Sequence, residues 1–433
     1  MSAAARACAS LLRRRRGAGN HFGVGQSTFI AVSRHDHGGR ATMATAAVTA
    51  DVSQRAAPSI DIFTPSEQHG ALRDVVRDFV ARHVEPQALE HNRVERFNEG
   101  LFRQLGDLGL LGLTVAEEYG GAGADATAVA IVHEELAASD PAFALSYLAH
   151  TLLFANNLNT TGSAAQKAAF LPRACSGELL GGMCMSEPGA GTDVLAMTTS
   201  AVPVDGGAAW ELSGTKTWIT NGARNDTTLG DAFLVYARTA PRGAGGSGSS
   251  RAHSVFLVER GMPGFTLSSV IKDKCGMRAS NTAELNFDRV RLPAATHLVG
   301  AAGDAVSSMM RNLEVERLGL AAMSLGIARR CIDVMNSYAR ERKSFGVPIN
   351  SHGQVQRLIA DSYAEYAAGR AYVYSVASRL QLSTSGSRLD SDGVKLYAAP
   401  MATNVASRAI QVRAVPRYGV ASSRWHCRKG ATG

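Results

Sequence analysis

A chain of 433 residues, 45% hydrophobic and 19% charged, exceeds what one compact core usually holds, so two or three domains are expected. No stretch reaches the roughly 18 to 20 uninterrupted apolar residues of a membrane-spanning helix, and membrane insertion is not expected. The net charge of +8 gathers at the two ends, with seven Arg against one Asp in residues 1–44 and five basic residues without an acid in 413–433. That leaves a mildly acidic body, which is no footprint for a phosphate backbone and excludes nucleic acid as a partner.

Residues 1–45 are rich in Ala, Ser and Arg, almost free of acid, and lack a continuous apolar core segment. This composition predicts a mitochondrial transit peptide and a matrix protein. Residues 46–60 read as a linker of Ala, Ser, Thr and Pro. The ordered chain is expected to begin at Thr64-Pro65-Ser66-Glu67, a capping-box pattern with Pro at the first helical position. Leu72, Val75, Val76, Phe79 and Val80 follow at helical spacing, and Pro86 is expected to end the run. Helical patterns continue through a domain spanning 61–182. Residues 183–298 change to short β-prone runs, including Phe233–Tyr236 and Ser254–Val258, while Thr282–Pro293 alternates like an exposed strand. The Gly- and Ser-rich stretch Pro241–His253 predicts a flexible surface loop. Helical periodicity returns over 299–412 in three stretches, roughly 304–342, 351–383 and 389–412. Residues 413–433 form a basic tail without helical period. Six scattered cysteines (Cys8, Cys175, Cys184, Cys275, Cys331, Cys427) contain no C-x-x-C pair, which argues against a zinc site, any other metal centre or a disulfide framework.

The string MCMSEPGAGTDV, Met183–Val194, joins the helical part to the β part. Gly189 and Gly191 let the backbone bend tightly and approach a ligand, although by itself such a string is commonly only a turn. Farther on, Leu313-Glu314-Val315-Glu316-Arg317-Leu318 opens a long helix. Two Glu two residues apart point to different faces, so at most one of them faces a given pocket. Leu313, Leu318 and Leu320 supply apolar neighbours that would desolvate it. The alternative is that Glu314 and Glu316 are solvated charges paired with Arg311 and Arg317.

Four segments in this order, Met183–Val194, Trp218-Ile219-Thr220-Asn221-Gly222, Cys275–Thr282 and Arg342-Lys343-Ser344-Phe345-Gly346, together with EEYGG at 117–121, resemble the acyl-CoA dehydrogenase family. The resemblance runs from about Phe63 to Val412 and is nearest to the isovaleryl-CoA type. It implies an α+β fold with an N-terminal helical domain, a middle β-barrel-like domain and a C-terminal helical bundle. It also implies an oxidoreductase acting on CH–CH groups with FAD as cofactor, passing electrons to an electron-transfer flavoprotein, working as a homotetramer, and serving leucine catabolism or fatty-acid oxidation. By this match Met183, Cys184, Met185, Ser186, Gly191 and Thr192 lie along the flavin, and Thr192 also touches the acyl-CoA. Trp218, Ile219 and Thr220 pack on the ring. Arg342 reaches FAD phosphate from a neighbouring subunit, a role that suits a guanidinium. Glu316 matches the catalytic base, Arg317 lies near the substrate, and Glu314 is the reserve candidate.

Two departures stand out. Where the family commonly has a Phe-Gln pair meeting FAD, this chain reads His352-Gly353-Gln354-Val355-Gln356, which leaves two alternatives: Gln354 as the replacement contact, or Gln356 in a structural role. After Val412 the chain leaves the family's Gly-rich turn and final helix for RAVPRYGVASSRWHCRKGATG. That ending predicts weakened FAD retention, and it is the whole case for the alternative of a non-catalytic, flavin-poor assembly subunit.

Overall fold

The computed structural model describes residues 61–239 and 252–413. The first helix, α1 (Glu67–Phe79), is capped by Ser66, whose hydroxyl accepts the His69 N–H at 3.3 Å. The cap therefore falls two residues after Thr64, because the Thr64 hydroxyl is spent on Asp61 at 2.8 Å. Nor does Pro86 stop the chain. A π-helical turn, Val80–Val84, leads into α2 (Glu85–Val94) without a break in the helical backbone, and Pro86 sits in the first turn of α2 directly after it.

Asn98, Asp125 and Asp140 then cap α3 (Glu99–Asp107), α4 (Ala126–Ala137) and α5 (Pro141–Leu148). Every residue of α4 is buried, so this helix forms the centre of the first part rather than its surface. A second π-helical segment, Ala149–Asn156, extends α5, and α6 (Ala164–Ser176) starts from a complete capping box of Ser163 and Gln166.

The middle of the chain is an eight-stranded sheet: β1 (Gly181–Cys184), β2 (Ser200–Val204), β3 (Ala209–Thr220), β4 (Ala232–Arg238), β5 (His253–Glu259), β6 (Phe265–Ile271), β7 (Thr282–Pro293) and β8 (Leu298–Val299). The pairing order is β6-β7-β3-β2-β4-β5-β8, and β1 runs parallel to β4. Strand β7 pairs on both edges, with β3 and β6. Its alternation reflects one face turned to the sheet core through Ala283, Leu285 and Phe287. The Gly/Ser-rich segment lies largely outside the described residues; its last residue, His253, opens β5.

Three helices complete the chain: α7 (Ala305–Glu341), α8 (Gly353–Ala377) and α9 (Arg388–Arg413), with the small hairpin β9 (Lys343–Ser344) and β10 (Val347–Pro348) between the first two. The C-terminal part of α7 packs into the helical core with α4, α8 and α9, whereas its start, at Met309 and Leu313, packs against the sheet. Helix α7 thus crosses from one layer to the other, and Glu316 lies at the crossing. Cys175, Cys184 and Cys275 are free thiols, the first two buried. Among the described residues no cluster of metal-ligating side chains occurs and no helix is long and apolar enough to cross a membrane.

Candidate active site

Where α7 meets the sheet there is a cavity of about 370 Å³. Glu316 and Leu313 form one wall, Ala149 and Leu153 of the π-helical segment another, and the chain around β1 and the end of β3 the rest. Met183, Met185, Ser186, Gly191 and Thr192 all face this space, as do Trp218, Ile219 and Thr220. Segments far apart in sequence thus line one cavity.

Strand geometry decides which side chains of the first segment take part. Met183 and Met185 turn toward the cavity, so Cys184 between them turns the other way, into the sheet core beside Phe233 and Val235. Its side chain is therefore not a cavity contact, which corrects its place in the cofactor set. Burial pushes its thiol well up, and it is no nucleophile at neutral pH. The chain then makes a tight turn in which Glu187 and Ala190 exchange backbone hydrogen bonds at 3.0 and 3.1 Å. Gly189 and Gly191 have open space where a side chain would stand, so the turn leaves room for a ligand along its edge.

At the other side, the register of β3 against β7 shifts between Lys216 and Ile219. Trp218 takes a left-handed backbone, φ 61°, inside that bulge. A bulge re-aims a side chain, and here it turns a large ring outward at the cavity rim, 64% exposed. Asn221, also left-handed at φ 63°, is buried, and its Nδ2 donates to the carbonyls of Ser146 (2.9 Å) and Gly181 (3.0 Å). That side chain ties β3, β1 and α5 together behind the cavity.

Glu316 is half-buried, with its remaining exposure toward the cavity. Among the described residues no donor is bonded to its carboxylate. Burial pushes it up to about 7, against the opposing pull of the Arg317 and Lys395 charges. Glu314 differs on each count. It is buried, and its Oε2 accepts the N–H groups of Gly386 (3.2 Å) and Ser387 (2.9 Å) ahead of α9. Helical geometry turns it away from Glu316, so its placement as a substrate contact is corrected to a structural one. Arg317 lies outside the cavity wall and pairs with Asp392 of α9 at 3.0 Å; its influence on the cavity is that of a nearby charge.

Arg342 and Gln354 are not part of this cavity. Arg342 caps the far end of α7, and Gln354 lies in the first turn of α8, both exposed. Gln356 donates to the Asn350 carbonyl at 3.0 Å, a local bond. Two residues beside the cavity escaped the sequence reading, Glu187 and Lys216. A signal was present: Lys216 occupies an inward position of β3, where a strand seldom places a charge without a partner.

A carboxylate of raised proton affinity, facing a cavity of mixed polar and apolar surface edged by a glycine turn and an exposed indole, defines an enzyme site for a small organic ligand. Models of the acyl-CoA dehydrogenase N-terminal, middle and C-terminal domains match residues 66–178, 182–290 and 303–421. The mitochondrial isovaleryl-CoA dehydrogenase of Solanum tuberosum is 38% identical over 342 residues, 78% of this chain and 79% of that protein. Butyryl-CoA dehydrogenase from Megasphaera elsdenii superposes with a TM-score of 0.77 at 29% identity, covering 84% of this chain and 93% of that one. A glutaryl-CoA dehydrogenase from Mycobacterium smegmatis, solved in complex with FADH2, gives 0.76 at 27% identity, over 84% and 89% of the two chains. The chain belongs to the acyl-CoA dehydrogenase family, and it is an oxidoreductase. The C-terminal match continues to residue 421, past Val412, where the resemblance was expected to end; the tail from residue 414 onward lies outside the described residues.

Proposed function

We propose that this chain removes hydrogen from Cα and Cβ of a short branched acyl-CoA, isovaleryl-CoA by preference, to give the trans-2-enoyl thioester, with Glu316 as the base and FAD as the cofactor. The observation that carries the proposal is the position of Glu316, a carboxylate without a bonded partner among the described residues, on the wall shared by Ser186, Thr192 and Trp218–Thr220. A proton next to a thioester carbonyl is weakly acidic. A base for it gains from partial desolvation, which raises its proton affinity toward that of the carbon acid in the transition state.

The residues present fit a flavin. The glycine turn leaves an open edge at Gly189 and Gly191, the Trp218 ring stands exposed at the rim, and the cavity is lined by Met side chains that adapt to a planar ring. Met183, Met185, Ser186, Gly191, Thr192, Trp218, Ile219 and Thr220 would hold it. FAD supplies the acceptor for the hydride leaving Cβ. Glu316 takes the Cα proton, Ala149, Leu153 and Leu313 exclude water around the acyl chain, and Thr192 offers a hydroxyl to either ligand.

Arg342 is too far along α7 to serve its own cavity, which supports its use by a second copy in a homotetramer. Gln354 is assigned to the same intersubunit contact. Re-oxidation by an electron-transfer flavoprotein and residence in the mitochondrial matrix complete the reading, the latter supported by the leader composition and by the kind of relative this chain resembles.

Anaerobic mixing with isovaleryl-CoA is expected to bleach the flavin absorbance, and Glu316→Gln to slow that bleaching about a thousandfold. Bleaching of the Gln variant at the wild-type rate would remove Glu316 as the base. A straight-chain or ω-carboxylated acyl-CoA that reacts faster than the isovaleryl thioester would overturn the choice of substrate.

A further inference from the structure

The most deeply buried ion pair beside the cavity is not used by the mechanism above. Lys216 and Glu187 have side chains 0% and 3% exposed. The Lys216 ammonium donates to Glu187 Oε1 at 3.0 Å and to the Met185 carbonyl at 2.8 Å. Glu187 also accepts the Thr199 N–H at 2.9 Å on that oxygen, and on the other the Thr198 N–H at 2.6 Å and hydroxyl at 2.7 Å. Both carboxylate oxygens are thus fully engaged by protein, and the pair has nothing to offer a ligand directly.

Stability is a weak reason for such a pair, since a well-packed apolar replacement is often as stable. Its location suggests another. The peptide that joins Met185 to Ser186 belongs to the cavity wall, since both residues line the cavity. Strand β3 holds the carbonyls on both sides of that peptide's N–H: Lys216 holds Met185, and the Thr217 N–H donates to Ser186 at 3.0 Å. The peptide is trans. With the Met185 carbonyl aimed at the ammonium, the Ser186 N–H must point to the opposite side, away from the ion pair. A cation on the carbonyl also polarises the N–H of the same peptide.

We propose that the Lys216–Glu187 pair is a positioning device which, through the Met185 carbonyl, presents the Ser186 N–H to the cavity as a fixed and polarised donor for a ring acceptor of the bound cofactor. The inference rests on the flavin reading of the cavity. Neither Lys216 nor Glu187 touches a ligand. Each acts through the peptide it holds, and the donor is strongest toward an acceptor that gains electron density on reduction. Burial pulls the Lys216 ammonium down while Glu187 pulls it back. Burial raises the Glu187 carboxyl, but the Lys216 charge and the Thr198 and Thr199 donors outweigh it and hold it at about 2, so the carboxylate stays charged over the working range.

The test uses purified wild type, Lys216→Met and Thr198→Val with FAD, read by the FAD dissociation constant, the visible flavin spectrum and thermal unfolding. Thr198 is exposed, and its change removes one donor from Glu187 without touching the cavity. Lys216→Met is expected to weaken FAD retention about tenfold, the equivalent of one lost hydrogen bond, and to displace the flavin absorption bands. Thr198→Val is expected to displace them less. Variants that melt at lower temperature yet keep the wild-type spectrum and FAD affinity would overturn the inference, because the pair would then only hold the fold. If Lys216→Met does not fold, Thr198→Val decides, and a spectrum identical to wild type counts against the proposal. Wild-type protein that takes up no FAD would instead overturn the flavin reading itself.

Discussion

Glu316 and Glu314 show how two identical side chains, two residues apart, receive opposite work. The helix turns one into a cavity and the other toward the chain entering α9. Their chemistry follows from what they then meet. The Glu316 carboxyl is raised to about 7 by burial, so it is protonated below that pH and ionised above it. As a base it must be ionised, and kcat/KM is therefore expected to fall as the pH drops through about 7, a limb absent from any residual activity of Glu316→Gln. The same shift has a consequence for stability with a definite sign. A carboxyl raised above its unfolded value of 4.5 favours the folded state while protonated, and this contribution is lost as the pH rises from about 4.5 through 7. At pH 8 the Gln variant is expected to melt above the wild type, and a lower melting temperature there would contradict the desolvated placement.

At the scale of elements, α7 positions the site, because one continuous helix packs in the bundle with its second half and on the sheet with its first. The entry to α9 is fastened to it by Glu314 through the N–H groups of Gly386 and Ser387, and by the Arg317–Asp392 pair. Glu314→Ala removes two charge-assisted hydrogen bonds and is expected to cost about 2 kcal/mol of stability, measured by denaturant unfolding. Rate and KM for the acyl thioester should stay close to wild type. A selective rise in KM would restore Glu314 to the substrate contacts. The bulge at Lys216–Ile219 does the comparable task in the sheet, since a regular strand would turn Trp218 to a different side.

Across the whole molecule, a buried network joins the first helices to the last. Arg73 of α1 bonds Glu134 of α4 at 3.0 Å and contacts Glu135 and the Tyr374 hydroxyl of α8. Arg329 of α7 reaches Glu135 at 2.6 Å, and Arg370 of α8 reaches Glu134 at 3.0 Å. Burial alone would raise the Glu135 carboxyl, but Arg329, Arg73 and Arg77 hold it at about 2. A depressed carboxyl stabilises the fold above its unfolded value of 4.5, and this is lost as the pH falls toward 2. Thermal melts between pH 5 and pH 2 should show that loss, and Glu135→Gln should lose that part of the dependence while being about 3–5 kcal/mol less stable at neutral pH. Equal acid sensitivity in the variant would place the acid-labile group elsewhere.

The sequence alone determined the order of helical, strand and helical parts, because periods of 3.6 and 2 are written in consecutive residues, as in Val75–Val80 and Thr282–Pro293. It also determined the family, because Met183–Thr192, Trp218–Gly222 and Arg342–Gly346 are local strings. Local strings do not say which way a side chain turns once strands pair and helices cross. Only the tertiary structure decided that Cys184 turns into the sheet, that Glu314 fastens the chain entering α9 while Glu316 faces the cavity, and that Lys216 meets Glu187. Those outcomes depend on strand register and helix phase relative to partners tens of residues or a whole layer away, and no short-range pattern encodes that relation.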